Sequence, residues 1–171
     1  MLITYSEFCQ ELANQSHARS SIQNIYSFEF KNLISNKNSD DFSISFQLKD
    51  EYKTQLKNDE LRAVISDTLI LNWCQQISKI LLNRLHPETE DSRFFVTDQR
   101  VICLEPCFED LPIHSNIRIL SQREEQNKYD FSLLFELGKN QMSVRIDLTA
   151  IKHDDQLIEN YYQRHVSLYA S

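Results

Sequence analysis

Two runs of alternating residues, Phe131 to Leu137 and Met142 to Leu148, face each other across the only glycine of the chain, Gly138. Pairing Leu137 with Met142 also pairs Phe135 with Val144, Leu133 with Ile146 and Phe131 with Leu148. One register therefore gathers these apolar side chains on a single face, whereas a slip of one residue would turn the set to water. Gly138 opens a four-residue turn. The other face carries Ser132, Leu134, Glu136, Ser143, Arg145 and Asp147, with Glu136 diagonal to Arg145.

A half-buried ribbon needs something to cover it. Leu61, Ile65, Leu69, Trp73, Ile77, Ile80, Leu81 and Leu85 form a helical stripe that starts at an Asn58 or Asp59 cap and ends before Pro87. Val64, Ile70, Leu71, Cys74 and Leu82 widen that stripe, so the helix is expected at the centre, covered on more than one side.

The remaining elements follow the same two periods. Phe8, Cys9 and Leu12 predict a short N-terminal helix over Tyr5 to Gln15, with Ser6 as its cap. Tyr26, Phe28 and Phe30 alternate in a strand over Ile25 to Lys31. After the polar turn Asn36 to Asp41, Phe42, Ile44, Phe46 and Leu48 form its hairpin partner. Lys49 to Lys57 reads as a short helical lead-in. Phe94 to Val96 and Val101 to Leu104 predict a second hairpin turning at Thr97 to Arg100. A further strand runs from Asn116 to Ser121, and the acidic segment Arg123 to Lys128 is a loop. Beyond Asp154 the pattern is helical again, with Leu157, Ile158, Tyr161, Tyr162, His165, Val166 and Tyr169 on one broad face.

The fold class is α+β: a mostly antiparallel sheet of about six to seven strands, one long central helix, and N- and C-terminal helices packed on one face. At 171 residues the chain suits a single domain spanning 1–171. Hydrophobic and charged shares of 41% and 25% are those of a folding sequence.

Charge and missing motifs narrow the function. Lys and Arg number 18 against 25 Asp and Glu, a net −7, which repels phosphate and makes nucleic acid an unfavoured partner. No run approaches the ~18 apolar residues of a membrane span, and Met1 to Glu11 lacks a signal-peptide pattern, so no membrane association and a cytoplasmic location are expected. Cys9, Cys74, Cys103 and Cys107 read as thiols. One glycine leaves no material for a phosphate-cradling loop.

Candidate sites are few. Cys103, Cys107 and His114 are the nearest approach to a metal set, but zinc takes four ligands and no second close pair completes one, so no metal or cofactor is expected. Cys9 and Cys74 fall on apolar faces, which favours packing over nucleophilic chemistry. Asp130, Glu136 and Lys139 resemble a nuclease spacing only superficially, since residues three apart do not share a strand face. Lys49, Lys53, Lys57 and Arg62 form a stripe that reads as a solvated helix face.

The binding candidates are Glu136, Arg145 and Asp147 on the hairpin's polar face, and Tyr161, Tyr162 and Tyr169 on the last helix. The expectation is a non-enzymatic protein-binding module, adaptor-, chaperone- or immunity-like, acting through the sheet face, a strand edge or the aromatic helix. A protein partner and a homodimer closed over an edge strand at Tyr26 to Phe30 go with it. The alternative is a small-ligand or hydrolytic site in an acidic cleft between helix and sheet, worked by Glu136 or Asp147. A nucleic-acid-processing accessory comes third.

Overall fold

Six antiparallel strands hydrogen-bond in the order β1-β2-β4-β5-β6-β3 in a computed structural model that describes residues 27–35, 41–54, 62–89, 92–125, 128–152 and 155–169. The strands are β1 (Phe28–Ser35), β2 (Asp41–Leu48), β3 (Ser92–Cys103), β4 (Ile113–Glu125), β5 (Lys128–Leu137) and β6 (Met142–Lys152). Helix α1 (Asp67–Leu85) joins β2 to β3, and α2 (Asp155–Tyr169) follows β6. Because β3 lies beyond β6 at the far edge, α1 must cross the sheet from one side to the other. The result is an α+β fold with a curled antiparallel sheet and one long helix.

The ribbon has the register its alternation requires: Phe131 opposes Leu148, Leu133 opposes Ile146, Phe135 opposes Val144 and Leu137 opposes Met142. All eight are buried. Gly138 and Asn140 turn the chain at positive φ, 63° and 64°, and a β-carbon at Gly138 would run into the Gln141 side chain.

Helix α1 lies on that apolar face. The Trp73 indole stacks on Phe46 of β2 at 3.8 Å and meets Phe135 of β5 edge-on at 6.1 Å. Ile70, Cys74, Ile77, Ile80, Leu81 and Leu82 are also buried, whereas Val64 and Leu85 of the expected stripe are exposed. Each fully buried aliphatic or aromatic side chain contributes about 1.5–3 kcal/mol.

Four local readings are corrected by the tertiary structure. The helix starts at Asp67, after Ser66, rather than at Asn58 or Asp59. Two residues expected within the helix are instead extended: Val64 bridges Phe108, and the Ile65 N–H donates to the Cys107 carbonyl at 2.8 Å. Thr97 to Arg100 is no turn, because β3 is one strand with a bulge between Val96 and Asp98. Its polar residues find partners within the sheet: Thr97 Oγ1 donates to the Asp147 carbonyl at 3.1 Å, and Arg100 Nε to Asp98 at 3.0 Å. The described part of the lead-in holds a 3-10 turn, Asp50–Tyr52, and β4 is longer than expected, running through Arg123 to Glu125.

The first hairpin forms as β1 and β2, and α1 ends at Leu85 before Pro87. The N-terminal helix over Tyr5 to Gln15, Cys9, and the cap region Asn58 to Leu61 lie outside the described residues.

Candidate functional site

Alternation sends the binding candidates of the late ribbon away from α1. Val144, Ile146 and Leu148 are buried beneath the helix, so Ser143, Arg145 and Asp147 between them occupy the outer face. Glu136 pairs with Arg118 of β4 at 3.9 Å, and Arg118 also reaches Asp41 of β2 at 3.3 Å. Arg145, although diagonal to Glu136, turns along its own strand to Asp147, 3.1 Å away.

Asp147 also accepts from Ser132 Oγ at 2.6 Å. Burial pushes its carboxyl up, but the bonds from Ser132 and Arg145 and the charges of Arg145 and Arg100 outweigh this and hold it below the usual carboxylate range. Asp130 is held low chiefly by the Thr149 hydroxyl, 2.6 Å away, with Lys128 assisting. These carboxylates are saturated by neighbours and stand on the side of the sheet opposite α1. The acidic cleft between helix and sheet, worked by Glu136 or Asp147, is therefore not formed.

The other candidates also disperse. Tyr162 of α2 is 61% exposed; Tyr161 and Tyr169 belong to the same helix, and their side chains lie outside the described residues. His114 Nδ1 meets Ser45 Oγ at 2.6 Å instead of joining Cys103 and Cys107. Among the described residues no three of His, Cys, Asp and Glu gather in a metal-binding group. Burial pushes the Cys107 thiol up to about 11, with the charges of Cys103 and Asp67 adding to it, and the buried Cys74 is raised well above its usual value. Both remain protonated at neutral pH, which removes them as nucleophiles.

One carboxylate that sequence reasoning passed over sits elsewhere. Asp67 is the only acidic residue of α1, exposed in its first turn. That end of the helix is held by a two-segment clip: Ile65 N donates to the Cys107 carbonyl at 2.8 Å and Glu109 N to the Ala63 carbonyl at 3.0 Å. The Glu109 carboxylate clamps the clip to Thr54, accepting from its N–H at 2.6 Å and its hydroxyl at 3.0 Å. Asp67 thereby lies within range for its charge to act on Cys107, which follows the end of edge strand β3.

Ile102 and Leu104 at the end of β3 and Val64 before α1 stand open, 61%, 71% and 48% exposed. Farther along, Gln75 of α1 donates to Gln99 of β3 at 2.7 Å, tying helix to edge strand. The first N–H groups of a helix lack intrahelical partners and carry partial positive charge, so this end presents a base beside anion-stabilising donors. The available signal was that Asp67 is the only charged residue between Ala63 and Ser78.

No family model and no curated protein matches the sequence. Solved structures do match the fold. A point mutant of thioesterase PA1618 from Pseudomonas aeruginosa superposes with a TM-score of 0.55 at 8% identity, covering 88% of this chain and 97% of its own. Thioesterase HI1161 from Haemophilus influenzae gives 0.53 at 10% identity, covering 89% and 93%. A phenylacetic acid degradation-related protein from Ralstonia eutropha JMP134 gives 0.54 at 8% identity, covering 83% and 98%. The shared architecture is the hotdog fold, a sheet curled about one long helix. This likeness overturns the expectation of a non-enzymatic protein-binding module, because the matching scaffolds are those of hydrolytic enzymes. Among the described residues no helix is long and apolar enough to cross a membrane.

Proposed function

We propose that this chain hydrolyses a thioester, with Asp67 as the general base and the first turn of α1 as the oxyanion site. The observation that carries the reading is the placement of the only carboxylate of the central helix at its exposed N-terminal end, in a fold shared with two named thioesterases. Water gives a proton to the Asp67 carboxylate as its oxygen attacks the carbonyl carbon. The resulting oxyanion lies against the N–H groups of the helix terminus, whose dipole favours negative charge. The intermediate collapses by breaking the carbon–sulfur bond, and the departing thiolate recovers the proton. Leu104, Ile102 and Val64 offer the acyl group an apolar margin. Free thiols at Cys74, Cys103 and Cys107 accord with a reducing cytoplasmic setting.

The active form is a twofold dimer closed over β3 rather than over the opposite edge at β1. β3 is an edge strand with Phe95, Val96, Val101 and Ile102 exposed, an arrangement that invites pairing. An antiparallel pairing centred on Gln99 sets Asp98 of each copy against Arg100 of the other, so the charges are complementary under the symmetry.

The test is turnover of short- and medium-chain acyl thioesters of coenzyme A, followed by release of free thiol. Asp67→Asn is expected to lower kcat by about 10²–10⁴-fold, the usual contribution of a general base. Unchanged turnover in that variant, or no turnover by the parent chain on any thioester, refutes the assignment. Sedimentation equilibrium is expected to give twice the chain mass of 20.3 kDa, and a monomer at catalytic concentrations would remove the dimer.

A further inference from the structure

The start of α1 is set from outside the helix. Ser66 stands at the cap position but makes no side-chain capping bond; its carbonyl accepts from the Leu69 N–H at 3.0 Å and the Ile70 N–H at 3.2 Å. Ile65 is buried, but burial is non-directional and does not set the path of the backbone. The clip sets it, with the Ile65 N–H on the Cys107 carbonyl and the Glu109 N–H on the Ala63 carbonyl. Asp67 follows two residues after Ile65.

The clip in turn hangs on one carboxylate. Glu109 Oε2 accepts from the Thr54 N–H at 2.6 Å and Oε1 from the Thr54 hydroxyl at 3.0 Å, both charge-assisted bonds. Thr54 is a fixed post. The buried Leu48 ends β2, the Lys49 N–H donates to the Ser27 carbonyl at 2.8 Å, and the turn Asp50–Tyr52 closes with the Lys53 N–H on the Asp50 carbonyl at 3.2 Å. Packing does not substitute for the carboxylate, because a cavity of about 110 Å³ lies where the segments meet, lined by Lys53, Thr54, Arg62, Ala63, Glu109 and Asp110. Arg62 reaches Asp110 at 3.6 Å, but both side chains are more than half exposed and the pair adds little.

The sheet thus reaches the helix terminus through Thr54, Glu109 and Ala63. A reacting group misplaced by about 1 Å costs on the order of 10²-fold in rate, even when the cause lies away from the chemistry. With Asp67 as the base, a reading on which this role rests, we propose that Glu109 is a positioning residue for the hydrolysis: its two bonds to Thr54 hold the clip, and the clip holds the first turn of α1 where the Asp67 carboxylate meets its water.

The test compares Glu109→Ala, Glu109→Gln and Thr54→Val with the parent in thioester turnover and in iodoacetamide labelling of the buried Cys107, read at its own peptide. Glutamine keeps an oxygen for the Thr54 N–H and offers its amide N–H to the hydroxyl, so Glu109→Gln should hold kcat within about twofold of the parent. Glu109→Ala should lower kcat by about 10–10²-fold with KM within about twofold, and should label faster at Cys107. Thr54→Val removes the hydroxyl bond alone and should lose less; added to Glu109→Ala it should lower kcat no further. Parent-like kcat or parent-like Cys107 labelling in Glu109→Ala overturns the proposal, as does a loss carried by KM alone or an equal loss in Glu109→Gln. Where Glu109→Ala does not fold, parent-like kcat in Thr54→Val overturns it. No turnover by the parent overturns the hydrolytic reading and this role with it, whereas turnover by parent and Glu109→Ala alike overturns this role alone.

Discussion

The two faces of the sheet are built from the same strands yet solve different problems. On the inner face Phe46, Leu133, Phe135, Val144 and Ile146 are buried against Trp73, so dispersion and loss of water-exposed area hold it together. On the outer face Asp41, Arg118 and Glu136 form one charged chain, and Asp147 and Arg145, bonded to the buried Ser132, form another, their charged groups at least partly wet. Surface ion pairs of this kind typically contribute about 0–1 kcal/mol each. The inner face accordingly sets the level of stability, whereas the outer face sets its dependence on conditions.

The sharpest way to break that contrast is truncation at the centre of the inner face. Phe135→Ala should cost about 3–5 kcal/mol by leaving a cavity beneath Trp73, read as a lowered urea midpoint. The loss should be the same across neutral and mildly acidic pH.

A smaller effect of different shape belongs to the outer face. Asp130 and Asp147 are held low in the folded chain, so the stability they contribute is fully present above the unfolded carboxylate value of about 3.9 and is lost as pH falls through their folded values. Urea midpoints should therefore stay level from neutral pH to about pH 5 and decline below about 3.9. Ser132→Ala removes one of the bonds holding Asp147 low and should make that decline shallower. An identical acid limb in parent and variant would mean that Ser132 does not set the titration of Asp147.

Several features were legible because they are local. The ribbon register follows from which residues alternate on either side of Gly138, and Pro87 ends α1 because it cannot continue a helix. Other features were hidden because distant partners decide them. Ala63 to Ile65 has a helical pattern but is pulled into an extended clip by Cys107 to Glu109. Thr97 to Arg100 has turn composition, yet an edge strand tolerates polar side chains and a bulge absorbs the misfit. Glu136 finds Arg118 only because β4, rather than another strand, lies beside β5.

The same division applies to the candidate site. Asp67 is conspicuous in the sequence as an isolated charge in an apolar stretch, but its chemistry depends on the helix beginning there and on β3 ending nearby. By itself the sequence determined periodicity, and with it which side chains share a face, where α1 must stop and how β5 meets β6. Only the tertiary structure decided strand order, the start of α1 and which carboxylate stands at its end. Those depend on contacts between segments far apart in the chain, where loop closure and burial outweigh the preferences of a few adjacent residues.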